Sequence, residues 1–236
     1  MPPSANYYAL KNRITKLRIH LLPRPFDKTG LYTDQQYDST RAFVSLAHAE
    51  IEAFLEEICI SAARSSLDQW NQSRIANRVI FSLYAMCYSR WSELEDEITI
   101  DHKAPVKDKN IEKRLACAGD QYGVQIGKNH GLREKHLKVL LVPLGVRIEG
   151  DLDKSWVSAM SSLGGHRGRI VHMAGSANQP PDPKQIRDLL AKEILPGLRK
   201  LDLLLQSLIT SVPMPEKKGI VTRFLELFDG ILQRDR

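Results

Sequence analysis

A chain of 236 residues, 42% of them hydrophobic and 26% charged, is long enough to bury one substantial core, which excludes a wholly disordered protein. The formal charge of +6 and a pI near 9.2 point to a polyanionic partner, with nucleic acid the first candidate. Cys59, Cys87 and Cys117 stand far apart without C-x-x-C spacing, which excludes a disulfide framework and a cysteine-built zinc site and reads as free thiols in a reducing cytosol.

The N-terminus, Met1 to Asn6, lacks the basic-then-apolar run of a signal peptide. The longest apolar stretch, Val139 to Val146, contains Pro143 and is too short to cross a bilayer. A soluble, cytoplasmic protein without membrane contact is expected. In chain order, a first helix is predicted over residues 5–22, ended by Pro23 and Pro25. A second, over about residues 35–64, follows the N-cap candidates Thr33 and Asp34, with Tyr37, Val44, Ala47, Ile51, Phe54, Leu55, Ile58 and Ala62 at helical spacing. A third starts after Asn71 or Ser73 and turns Val79, Leu83, Met86 and Trp91 inward.

Between His102 and Lys138 the chain carries nine Lys or Arg residues against four acids. Helices are predicted there over 111–125 and 133–142, joined by the polar turn Gly127-Lys128-Asn129-His130-Gly131. Asp151 or Asp153 caps the next helix, with Trp156, Met160 and Leu163 on its apolar side, and Gly164-Gly165 breaks it before a short segment from His166 to Met173. The proline-rich loop 179–183 leads into a leucine-rich helix over 184–210, with a kink at Pro196-Gly197. Last comes an amphipathic helix carrying Ile220, Val221, Phe224, Leu227, Phe228, Ile231 and Leu232 in one stripe. No strand-like alternation or internal repeat interrupts the series, so the class is all-α. Residues 1–212 are assigned to one helical domain and 213–236 to an appended C-terminal helix.

Catalytic triads, Walker loops, H-E-x-x-H and zinc spacings are absent. The segment Gly164-Gly165-His166-Arg167-Gly168-Arg169-Ile170-Val171-His172 stands out. If the two glycines open a helix, its N-terminal N–H groups and dipole favour an anion, with two arginines and two histidines on the same turn. Arg169 and His172 are i,i+3 neighbours, whereas Arg167 and His172 diverge by roughly 140° on the helix. From these residues alone, two readings stand side by side: a phosphate site next to a titratable imidazole, or surface arginines around a half-buried histidine.

Arg167-x4-His172 resembles the R-x4-6-H signature of HEPN domains, helical bundles that include many ribonuclease toxins. Leu46-Ala47-His48-Ala49-Glu50-Ile51-Glu52 resembles the first long helix of the ribonuclease-L-like branch of that family. Asn129-His130-Gly131, with Leu137 and the run from Leu140 to Gly145, resembles its middle segment. Leu152-Asp153 and Trp156, leading into Arg167-Gly168, resemble its last. The likeness spans about residues 41–174, with the first helix and the C-terminal tail outside it. It departs from the family at Gly168, where many HEPN nucleases carry a polar residue, often Asn.

The resemblance implies a HEPN-type bundle with additional N- and C-terminal helices and a metal-independent endoribonuclease working without a cofactor. It implies that His172 transfers protons and Arg167 clamps the scissile phosphate, in a composite site formed by a homodimer. Transfer RNA or messenger RNA is the implied substrate, and an antitoxin or other regulatory protein an implied partner. Arg169 and His166 are further phosphate-site candidates. Asn129 and His130 are read either as RNA contacts or, for Asn129, as a helix cap. Glu50 and Glu52 either orient an arginine or histidine or simply face solvent, and His20, His48, His102 and His136 are read as structural.

Overall fold

A computed structural model describes residues 1–87, 111–172 and 181–210, with His172 described by its backbone alone. Among these residues there is no strand, and the protein is all-α. Helix α1 (Ala5–Leu21) is capped by Ser4, whose side chain accepts from the Tyr7 N–H, and buries Tyr7, Leu10, Ile14 and Leu17 against α2. Helix α2 (Asp34–Ser73) is the spine. Its 40 residues span about 60 Å at 1.5 Å per residue. A capping box starts it: the Thr33 hydroxyl accepts from Gln36 N, and Thr33 N donates to Gln36 Oε1 at 2.9 Å. The helix continues beyond the predicted end at residue 64 because Ser66 and Trp70 extend its buried face; it stops where Arg74 turns left-handed at φ 58°.

Helix α3 (Arg78–Met86) begins later than predicted, because its cap is Asn77. The buried Asn77 amide accepts from Ile80 N at 3.0 Å and donates to Ser66 Oγ and Ile209 O, both at 3.1 Å, tying α2, α3 and the last described helix together. Helices α4 (Ile111–Lys128) and α5 (Glu134–Leu141) flank the polar turn, and the Tyr122 hydroxyl of α4 donates to Leu140 O of α5. A 3-10 turn (Val142–Leu144) and the short α6 (Ile148–Asp151) lead to α7 (Lys154–His172).

Helix α7 is continuous, which corrects the predicted break at Gly164-Gly165. The glycines are mid-helix residues, so no helix N-terminus offers free N–H groups there. Helix α8 (Pro183–Asp188) passes through a π turn (Leu189–Ile194) into α9 (Leu195–Thr210). The irregularity predicted at Pro196-Gly197 thus lies just before it. Pro196 has no N–H to give Lys192 O and its ring crowds that carbonyl, so the backbone widens and Leu195 N donates to Leu190 O instead. Trp156 Nε1 donates to Ile194 O at 3.2 Å, and a Cβ on Gly197 would stand 1.9 Å from the Trp156 ring. This close approach locks α7 to the π turn.

No helix among the described residues is long and apolar enough to cross a membrane. Trp91 and the predicted 213–236 helix lie outside the described residues.

Candidate active site

The first half of α7 is an anchor. Trp156, Val157, Ala159, Met160 and Leu163 all lie in the core. From Gly164 onward the helix meets the turn before α5. A Cβ on Gly164 would stand 3.4 Å from Arg133 Cγ and 3.8 Å from Leu132 Cβ, and one on Gly168 would stand 3.7 Å from Arg133 Nη2. The missing side chains let the arginine stem lie across the helix. Gly168, the departure from the family pattern, is therefore the floor under the Arg133 guanidinium.

Arg167 is exposed on this half of α7, and His172 ends the helix. Among the described residues Arg167 forms no ion pair. Arg169 Nη2 donates to His166 Nδ1 at 3.0 Å, so His166 is a helical residue holding an arginine rather than an idle loop histidine. Partial burial, and then the Arg169 charge, hold the His166 pKa below the ordinary histidine value. With Nδ1 accepting, its neutral ring carries the proton on Nε2.

On the α2 side lies a polar face where the sequence reads His48 as structural and Glu52 as either orienting an arginine or histidine or facing solvent. His48, Glu52 and Glu56 recur at i, i+4 and i+8 and so share one side of the helix. His48 is 5% exposed, with Nδ1 3.7 Å from Glu52 Oε2. Burial lowers its pKa, Arg167 and His136 lower it further, and Glu52 opposes them. The charge of Arg167 thus reaches α2 across the helix interface.

The α4–α5 turn closes the cluster. Asn129, read from the sequence as either an RNA contact or a helix cap, is buried at 6% exposure and faces inward. Its Nδ2 donates to His136 O at 3.3 Å, which leaves Oδ1 to accept from His136 Nδ1 at 3.0 Å. This side chain shapes the turn and does not reach solvent to touch RNA. Gly131 sits at φ 140°, and a Cβ there would meet the His136 ring at 2.8 Å, so only glycine fits. His130 is exposed at the tip, and Arg133, exposed as well, bridges to α7. Burial, followed by Lys135, lowers the His136 pKa despite the opposing Glu52. Glu56 goes the other way: burial and the like charge of Glu52 raise its carboxyl pKa, with His130 opposing.

Segments distant in sequence therefore meet: Arg167 from α7, His48 and Glu52 from α2, and His130 and Arg133 from the turn with His136 at the start of α5. His48 and His136 look ordinary in the sequence. The one signal pointing to the α2 face is the His48-x3-Glu52-x3-Glu56 spacing inside an otherwise apolar helix side. Chemically, the arrangement offers exposed guanidinium groups for a phosphate beside two imidazoles, His48 and His136, whose burial favours the neutral form.

An all-α bundle presenting a basic R-x4-H helix end defines a protein of the HEPN class. The chain matches the RiboL-PSP-HEPN family model over residues 8–207 and belongs to that family. The match takes in most of α1 and of α9, beyond the 41–174 span legible from motifs. No curated protein and no solved structure matches the chain. Family membership carries a ribonuclease or nucleotide-binding role in general terms.

Proposed function

We propose that this protein is a metal-independent endoribonuclease acting on transfer RNA or messenger RNA as a homodimer. The observation that carries the reading is the placement of Arg167: exposed, five residues before His172, on a helix whose first half is locked into the core. Arg133 and Arg169 add positive charge on the same stretch of helix.

RNA brings its own nucleophile. A base takes the proton of the 2′-hydroxyl, the O2′–P bond forms, and the P–O5′ bond breaks as an acid gives a proton to O5′. The products are a 2′,3′-cyclic phosphate and a 5′-hydroxyl. Arg167 pairs with the non-bridging oxygens and stabilises charge that grows in the phosphorane. One imidazole cannot serve both faces of an in-line displacement, so His172 of each protomer supplies one proton role at an isologous interface. Arg169, His166 and His130 border the RNA path, while Asn129 acts from inside by fixing the turn.

Such an activity is lethal to a cell unless restrained, which suits an effector of a toxin–antitoxin or antiviral system held by a partner protein. A second reading, a non-catalytic module that binds a nucleotide or RNA for a nucleotidyltransferase partner, is favoured by one observation: Gly168 stands where many HEPN nucleases carry a polar side chain. The two separate on incubation of total transfer RNA with the protein in EDTA, followed by end-group analysis. The nuclease reading expects cyclic-phosphate ends and no cut where the 2′-hydroxyl is replaced by hydrogen. Tight RNA binding without any cleavage overturns it in favour of the second. A stable monomer with full activity overturns the composite site.

A further inference from the structure

Glu52, Glu56 and His130 form a cluster whose two carboxylates take no part in the proposed proton transfers. One ligand atom from each lies within 4.8 Å of the other two, although the carboxylates come from α2 and the imidazole from the turn after α4. Among the described residues no lysine or arginine pairs with either carboxylate. Glu52 Oε2 faces His48, and Glu52 Oε1 is enclosed without any hydrogen-bond donor. Two carboxylates one helical turn apart, one with a buried oxygen left unmet, form a place that a cation would satisfy.

We propose that Glu52, Glu56 and His130 bind one divalent transition-metal ion, of the zinc type, which pins the α4–α5 turn to α2. A carboxylate–imidazole set suits Zn²⁺, Co²⁺ or Ni²⁺, whereas Mg²⁺ prefers oxygen and water alone. Metal–ligand bonds of about 2.0–2.1 Å put tetrahedral ligands roughly 3.4 Å apart. His130 sits on an exposed turn tip and Glu56 is only half-buried, so side-chain rotation closes the remaining gap without moving either helix. Water fills the fourth position. The ion holds the turn that carries Asn129 and Arg133, and its binding is independent of whether RNA is cut.

The test is calorimetric titration of the metal-free full-length protein with Zn²⁺, with Mg²⁺ as a control, on the wild type, Glu56→Gln, His130→Ala and His48→Ala. Thermal melting of each is followed with and without zinc. The expected result is one zinc per chain and a zinc-dependent rise in melting temperature. Affinity should drop at least about tenfold in Glu56→Gln and His130→Ala, and Mg²⁺ should bind far more weakly. His130 is exposed, so its variant keeps the fold, and unchanged melting of the metal-free form verifies that. No zinc binding by the wild type, or binding that survives both variants, overturns the proposal. So does binding lost only in His48→Ala, because the ligand set is then a different one.

Discussion

The two halves of α7 are built from one continuous helix and behave as opposites. Residues 154–163 turn one whole side into the core: Trp156 hydrogen-bonds the π turn, and Met160 and Leu163 are fully enclosed. Residues 164–171 expose Arg167, Arg169 and Val171, and the one fully buried residue among them is Gly164, which Arg133 crosses. The first half holds the helix still so that the second can present charge at a fixed place. Pre-organised guanidinium groups lose little freedom on meeting a phosphate, which is why the anchor matters to the proposed chemistry.

If this division holds, substitutions in the two halves separate stability from activity. The largest effect is expected from Trp156→Ala, which empties a core position and removes the hydrogen bond to Ile194. It should cost about 3–5 kcal/mol in chemical denaturation, with cleavage lost only in proportion to unfolded protein. Arg167→Ala should do the reverse. Its folding stability should stay within about 0.5 kcal/mol of wild type while the cleavage rate falls about 10²–10³-fold. An Arg167→Ala protein that unfolds would erase the contrast between the halves.

The smallest effect is a protonation one. His166 in the folded protein has a pKa depressed first by burial and then by Arg169. A histidine with a depressed folded pKa contributes stability that is present above the unfolded value, about 6.5, and lost as pH falls through the folded value. Titration of the His166 ring by NMR should show a midpoint below 6.5 that moves up in Arg169→Ala. A midpoint that ignores the arginine would mean that the 3.0 Å contact does not form in solution.

The same contrast explains what the sequence discloses. The long apolar periodicity of α2, the caps near Thr33 and the apolar side of α7 are local, and each of those helices is present, with boundaries that shift where tertiary contacts extend them. Gly164-Gly165 is misleading for a local reason: each glycine costs about 1 kcal/mol relative to alanine within a helix, so a pair reads as a break. What outweighs it is non-local. Leu132 and Arg133 come from another part of the chain to cover the bare helix face. Arg167 and His172 stand out as candidates because their motif is contiguous. His48 and His136 do not, since only the docking of α2, α7 and the α4–α5 turn brings them together, and Glu52 is legible only as one of two readings. Asn129 is recognisable as special, yet its inward hydrogen bonds depend on the position of His136 across a glycine with positive φ.

The most direct measurement is the cleavage rate of one defined transfer RNA in EDTA by wild type and His172→Ala, at matched concentration and with thermal melts recorded on the same samples. The account predicts matching melts and a rate about 10²–10⁴-fold lower in the variant. Equal rates from two equally folded proteins would contradict it and move the chemistry away from α7.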